Sequence, residues 1–336
     1  MLVLNRRADA PLSDSSLITL ADLRQAQARL HGVARRTPII EAEFSGRGRI
    51  ALKAESMQPI GSFKLRGAYN KAASLTRDEL GRGVITYSSG NHAQGVAYAA
   101  RVLGAKAVIV MPSNAPAIKR QATEALGAEI VTVGPASAER KAKAEELAAI
   151  HGYTIIPPYD DAAIIAGQGT CGLEILEDLP EADLILVPVG GGGLLSGVAA
   201  AAKYLRPATQ VWGVEPELAA DANESMAKGT IIGYTAEQTS RTLADGLRTQ
   251  HIGSLNFTHL RAFVDGMVTV TEDEIKAAMR ATLLDAKLVA EPSGSVALAA
   301  ALYHAQELGT ERKSVCAILS GGNAEPALLA NILNHV

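Results

Sequence analysis

The chain has little cysteine: two residues in 336, Cys171 and Cys316, far apart and without the close spacing of metal-binding pairs. That excludes a disulfide framework or a zinc-ribbon module and leaves two buried thiols in a reducing compartment. Excess charge is also missing. The 32 basic and 35 acidic residues give a net charge of −3, with both signs scattered along the sequence. Neither a nucleic-acid partner nor a polybasic membrane surface is expected. No uncharged apolar run approaches the roughly 18 residues needed to span a bilayer. The opening MLVLNRRADAPLSDSS lacks the charged start, long apolar middle and small-residue cleavage site of a signal peptide. It reads as a polar, frayed tail on a soluble cytoplasmic protein. Tandem repeats, low-complexity linkers and the nucleotide fingerprints G-x-G-x-x-G and G-x-x-x-x-G-K-[ST] are absent as well, which argues against a nucleotide-dependent oxidoreductase.

Apolar residues make up 48% of the chain and charged ones 20%, enough for a substantial core in one large domain or two intimate ones. From Gly83 onward, short β-branched runs alternate with helical patterns. VITYSS (84–89), AVIVMP (107–112) and EIVTVG (129–134) read as strands, each followed by a helix that stops at glycine; Ser137 is placed to cap the third helix. The rhythm resumes with DLILVPV (183–189), the helix LLSGVAAAAKYL, the strand QVWGVEP, a helical stretch around 272–287 and the strand in SVCAILSGG (314–322). Such units imply parallel sheets covered by helices, with ligands gathering beyond the carboxyl ends of the strands. Residues 218–262 carry mixed signals.

Four loops carry chemistry. Gly190-Gly191-Gly192-Gly193 lies between a buried strand and an apolar helix, where bare backbone can curl around an anion and the helix adds its positive end. A phosphate is the natural occupant. Gly61-Ser62-Phe63-Lys64-Leu65-Arg66-Gly67 follows the strand IALKAE. Ser62 is placed to cap the next helix, putting Lys64 in its first turn, where the positive helix end eases deprotonation and suits an amine nucleophile. In isolation most lysines are solvated charges; Lys53, in the preceding strand, is expected to reach solvent or a charge partner. Ser88-Ser89-Gly90-Asn91-His92 offers hydroxyls, an amide and free N–H groups to a carboxylate, though such residues also serve ordinary turns. Ser320-Gly321-Gly322-Asn323 again lies just beyond a buried strand.

In this order SFKLRGA, SSGNHAQG, VGGGGLLSG, EPSGS and LSGGN resemble the fold type II pyridoxal-phosphate (PLP) enzymes, within them the serine/threonine dehydratases, serine racemases and hydroxyaspartate dehydratases. The motifs run from Ser62 to Asn323, nearly the whole chain. The resemblance implies two parallel-sheet α/β lobes with the cofactor between them: a discontinuous large domain, residues 1–82 and 158–336, and a small domain, 83–157, that closes over the substrate. It implies Lys64 as Schiff-base lysine and as the base that removes the substrate's Cα proton. Phe63 packs beside the cofactor, Asn91 bonds its ring hydroxyl, and Gly190, Gly191, Gly192, Gly193 and Leu194 cradle its phosphate. Ser320 faces the pyridine nitrogen. Ser88, Ser89, Asn91 and His92 receive the substrate carboxylate, and Ser89 matches the second acid/base of the racemases.

A neutral Ser320 cannot stabilise a pyridinium as an acid would, so the electron sink is weaker and expulsion of a β-leaving group is favoured. The implied reaction is α,β-elimination from L-threonine or L-serine to a 2-oxo acid and ammonia, with the cofactor phosphate as acid for the leaving hydroxyl. Serine racemase and 3-hydroxyaspartate dehydratase share the chemistry, and a non-catalytic binder of a phosphate ligand or amino acid is the alternative from another class. Glu215, Ala219 and Asp221 match the divalent-cation site of the racemase group, suited to Mg²⁺, Ca²⁺ or Mn²⁺. The stretch Arg241–Gln250 resembles a segment near the active site, with both arginines read as surface charge. The resemblance also implies a homodimer. A regulatory domain is not expected beyond Val336, nor feedback control by isoleucine.

Overall fold

The structure, a computed structural model, describes residues 2–5, 16–45, 47–115, 117–134, 137–309 and 313–334. Among them are the strands β1 (Val3–Leu4), β2 (Ile39–Phe44), β3 (Gly48–Lys53), β4 (Val84–Thr86), β5 (Ala107–Pro112), β6 (Glu129–Val133), β7 (Thr154–Ile155), β8 (Leu184–Pro188), β9 (Gln210–Pro216), β10 (Gly266–Val270) and β11 (Val315–Ile318). They form a seven-stranded sheet, β1-β10-β9-β8-β11-β3-β2, and a four-stranded sheet, β6-β5-β4-β7. Every pair in the small sheet is parallel. In the large sheet the five inner strands run parallel, while β1 and β2 join antiparallel at the edges.

The continuous apolar strands of the sequence are the ones buried on both faces. In β8, Leu184 and Leu186 enter one core cluster while Ile185 and Val187 enter the other, as the two-residue period of a strand requires. The Ala-rich helix Pro292–Tyr303 packs on the first face, and Gly193–Leu205 on the second. Burying one such Leu or Val side chain contributes about 1.5–3 kcal/mol. No helix among the described residues is long and apolar enough to cross a membrane.

Several sequence expectations need correction. The opening segment is not all tail, because Val3 and Leu4 pair with Met267 and Gly266 along an otherwise open sheet edge. Residues 6–15 lie outside the described set, as does the side chain of Ser137, the first residue of the helix Ser137–His151. The unassigned stretch contains the helices Asp221–Lys228, Ala236–Thr239 and Ser254–Phe263 with two short 3-10 turns. Cys171 and Cys316 are buried, unpaired thiols, as expected.

Strand order assembles the site. β8, β11 and β3 are neighbours and parallel. Their carboxyl ends therefore deliver the glycine loop, the 320–323 loop and the 61–67 segment side by side. The small sheet's β4 ends just before Ser88–His92.

Candidate active site

The helix Lys64–Ala73 begins at Lys64 itself. Phe63 stands in the capping position with helical backbone angles and donates its N–H to the Ser320 carbonyl at 3.0 Å. Ser62 therefore does not cap: it forms an isolated bridge with Gly321, and its buried hydroxyl has no hydrogen-bond partner. The same two loops are joined again by Gly322 N–H donating to the Gly61 carbonyl at 2.9 Å. The Glu291 N–H donates to the Gly321 carbonyl at 3.0 Å, which adds the EPSGS motif to the cluster.

Lys64 Nζ donates to the Pro158 carbonyl at 2.7 Å and lies 5.2 Å from the centre of the Phe63 ring. The residue as a whole is only part-buried, but its amine is enclosed by protein, and that burial draws its pKa down to about 8. The segment that meets Lys64 continues at once to the glycine loop. A Cβ built on Gly191 would lie 2.2 Å from the Tyr159 ring, so that position must stay bare for Tyr159 to pack there. Gly192 adopts φ +95°, a left-handed conformation that glycine alone takes without strain. The helix Gly193–Leu205 follows, and its first amides lack intrahelical acceptors. Leu194 is buried in its first turn. Gly190 is covered by Gly246 and Leu247, which brings the Arg241–Gln250 stretch to the loop.

From the other sheet come Ser88, Ser89, Asn91 and His92. Ser88 Oγ accepts from the Gly90 amide at 3.3 Å, tightening the turn, and Ser89 is part-buried beside it. Asn91 Nδ2 donates to Glu291 Oε1 at 2.6 Å, and Asn91 Oδ1 accepts from Asn323 Nδ2 at 2.7 Å. One Nδ2 hydrogen of Asn91 stays available. His92 is buried with Nε2 3.0 Å from the Ile156 carbonyl, which can only accept, so Nε2 carries the proton. Its Nδ1 is buried without a partner. Burial first, then the nearby Lys64 charge, pushes the imidazole pKa down to about 3, so His92 is neutral. Ser320 is buried, and its hydroxyl donates to the Ser293 carbonyl at 3.4 Å.

Glu291 and Tyr159 were not singled out from the sequence. Glu291 opens the helix Pro292–Tyr303 without capping it, and its carboxylate turns to Asn91 instead. An acid before Pro reads as a helix-start charge, so only its place in EPSGS could have flagged it. Tyr159 carried no signal.

Among the described residues no group of three or more His, Cys, Asp or Glu side chains is arranged to hold a metal ion. Glu215 and Asp221 are nevertheless both fully buried. Glu215 accepts from the Ala222 and Asn223 amides at 3.1 and 2.6 Å. Neither carboxylate oxygen of Asp221 has a hydrogen-bond partner, although its own backbone amide and then that of Ile252 pull its pKa back down. Burial pushes both carboxyls up, Asp221 to about 7, with Asp221 adding to the rise at Glu215. Ala219 is buried in the turn between them.

The arrangement of a glycine-rich anion cradle, a buried amine of lowered pKa and a neutral buried hydroxyl fits PLP. Residues 31–321 match the family model described as pyridoxal-phosphate dependent enzyme. The chain is 42% identical over 322 residues to an L-threonine ammonia-lyase of Thermotoga maritima, covering 95% of this chain and 79% of that one. It is 39% identical over 319 residues to an L-threo-3-hydroxyaspartate ammonia-lyase of Saccharomyces cerevisiae, covering 94% and 96%. Among solved structures, the serine racemase of Dictyostelium discoideum superposes with a TM-score of 0.86 at 38% identity, covering 92% and 99%. The chain belongs to the fold type II pyridoxal-phosphate dependent enzymes.

Proposed function

We propose that the protein is a PLP-dependent ammonia-lyase that converts L-threonine and L-serine into the 2-oxo acid and ammonia. The observation that carries this reading is Lys64, an enclosed amine with a pKa drawn down to about 8, hydrogen-bonded to the Pro158 carbonyl next to Tyr159, whose ring packs on the glycine loop. A relative named for threonine ammonia-lyase activity at 42% identity supports the substrate class.

In this reading Lys64 holds the cofactor, Gly190–Gly193 and Leu194 hold its phosphate, Phe63 packs beside its ring, Asn91 uses its remaining N–H on the ring hydroxyl, and Ser320 faces the ring nitrogen. PLP supplies an electron sink for charge at the substrate's Cα. With the cofactor bound, the Lys64 amine would take the Cα proton, and the β-hydroxyl, protonated as it departs, would leave as water. Hydrolysis of the released enamine would consume one water, offsetting the one lost, and give the 2-oxo acid and ammonia. Ser88, Ser89 and the backbone N–H of Asn91 orient the substrate carboxylate, neutral His92 anchors their loop through its Nε2–H to the Ile156 carbonyl, and residues 83–157 close over the substrate. Lys119 of this lobe pairs with Asp245 of the other, a contact across the cleft that fits such closure.

A divalent cation between Glu215, the Ala219 carbonyl and Asp221 belongs to the same reading. Two buried carboxylates, one without any hydrogen-bond partner, are better satisfied by a cation than by each other. A homodimer in the cytoplasm is the expected working form.

The test is 2-oxo acid release by the PLP-loaded protein from L-threonine, L-serine and L-threo-3-hydroxyaspartate, with L- and D-serine followed separately. Fastest turnover of L-threonine or L-serine supports the proposal. Preference for hydroxyaspartate, or serine interconversion faster than oxo-acid release, assigns the chain to the neighbouring activities. In the racemase case Ser89→Ala should suppress D-serine turnover while L-elimination survives in part.

A further inference from the structure

Two residues beyond Lys64, Arg66 leaves the helix on the opposite side, since positions two apart are about 200° around a helix. It is 1% exposed and sits in a buried charge cluster. Its Nε and Nη2 donate to Glu55 at 2.8 Å each, and its Nη1 and Nη2 donate to Glu174 at 2.8 and 2.7 Å. Nη1 also reaches Thr170 Oγ1 at 3.1 Å. Lys53, at the end of β3 and fully buried, donates to Glu174 at 2.6 Å and to the Thr37 carbonyl at 2.6 Å. Thr37 Oγ1 donates in turn to Glu55 at 2.5 Å. Lys53 thus has the charge partner, not the solvent. The two cations and two anions balance, and the forked guanidinium holds both carboxylates at once.

A neutral buried cluster of this kind is a weak source of net stability, because desolvation cancels most of its attraction. Its distinctive property is geometric: it ties β3, the turn at Glu55, the helix Ala162–Asp178 and the first turn of the Lys64 helix at one point. The outlying β3 and Ala162–Asp178 elements are fixed by the core, so the fork can set how far the Lys64 turn rotates. We propose that Arg66, clamped between Glu55 and Glu174, is a positioning residue that fixes the rotation of this helix and so aims Lys64 Nζ into the cleft. The proposal rests on Lys64 being the cofactor lysine. Because the cluster is neutral, it acts through placement of the amine rather than through its charge. A misplacement of about 1 Å at a reacting group can cost on the order of a hundredfold in rate.

Arg66→Lys keeps the charge and loses the fork. In the PLP-loaded enzyme the variant should fold with native far-ultraviolet circular dichroism, lose about tenfold or more in kcat, and keep KM within about twofold, because the 88–92 loop is untouched. The rate at which the apoprotein gains its PLP absorption band should fall in parallel. Ile275→Ala, a core truncation in the helix Glu272–Leu284, serves as a control of similar stability loss and should keep both rates. Wild-type kcat and band-formation rate in Arg66→Lys, or equal losses in the control, would overturn the proposal. If Arg66→Lys fails to fold, the charge-balanced pair Lys53→Met with Glu174→Gln decides: a severalfold loss of kcat at constant KM supports the clamp, and an unchanged kcat overturns it. Lys64→Ala separates the underlying reading, since a PLP band that survives in that variant contradicts the lysine assignment itself, whatever Arg66 does.

Discussion

Glu291 accepts a 2.6 Å hydrogen bond from the side-chain amide of Asn91, joining two helix starts 200 positions apart. With Asn323 on its other end, the Asn91 amide is held in one orientation. The cost falls on Glu291. Burial, then the charge of Asp245, pushes its carboxyl up to about 7, against the pull of the Asn91 bond. A carboxyl raised in the folded state gives stability that is intact below the unfolded value near 4.5 and is lost as pH rises through 7. Glu291→Gln, which carries no charge, should therefore be more stable than the parent at pH 8, by on the order of 1–3 kcal/mol. The gain should shrink toward zero near pH 5, and kcat should fall severalfold as Asn91 loses its charged acceptor. Urea midpoints at the two pH values, with kcat beside them, check both halves. A variant less stable at pH 8 would mean Glu291 is satisfied as an anion.

The lowered Lys64 pKa has its own consequence. Only the neutral amine attacks the PLP aldehyde, so incorporation into the apoprotein should quicken about tenfold per pH unit and level off near pH 8. A rate still climbing toward pH 10, as for a solvated lysine, would show that burial does not tune this amine. Stopped-flow absorbance over that range makes the measurement.

Much of this was legible in the sequence because it rests on local rules. β5 occupies residues 107–112, and the Ala-rich helix after SSGN ends at Gly104 in a left-handed cap. The glycine loop stood out because four bare residues exceed what a turn needs. What the sequence hid depends on partners distant along the chain. Ser62 looked like a cap, yet Phe63 takes the capping position, held there by its N–H to the Ser320 carbonyl. Glu291 and Arg66 become informative only once Asn91, Glu55 and Glu174 are brought to them. Val3–Leu4 is too short to read as a strand, and pairs because β10 offers an edge.

Gly192 should tolerate no side chain. Its φ of +95° is strained for any other residue, and a Cβ would lie 2.9 Å from that of Asn256. Gly192→Val should weaken PLP binding tenfold or more in an equilibrium titration, whereas an unchanged dissociation constant would put the phosphate elsewhere. At Gly191 the obstacle is the Tyr159 ring rather than a ligand. Gly191→Ala alone should also weaken binding, and adding Tyr159→Ala should recover part of the loss.

In the proposed reading the buried pair Glu215 and Asp221 holds a divalent cation. Chelator treatment should lower the melting temperature, with recovery on adding Mg²⁺, Ca²⁺ or Mn²⁺. A cation bound only by the folded state at a hundred times its dissociation constant adds about 2.7 kcal/mol. Asp221→Asn should abolish the response. If the variant responds to chelator and cation as the parent does, the pair binds no metal.

The proposed chemistry turns on one lysine among several. Borohydride reduction of the PLP-loaded protein converts the hydrolysable lysine–cofactor C=N bond into a stable C–N single bond, and peptide mass mapping then finds the residue that carries it. The phosphopyridoxyl group is expected on Lys64 alone. Modification of Lys53, Lys119 or any other lysine, with Lys64 unmodified, would contradict it.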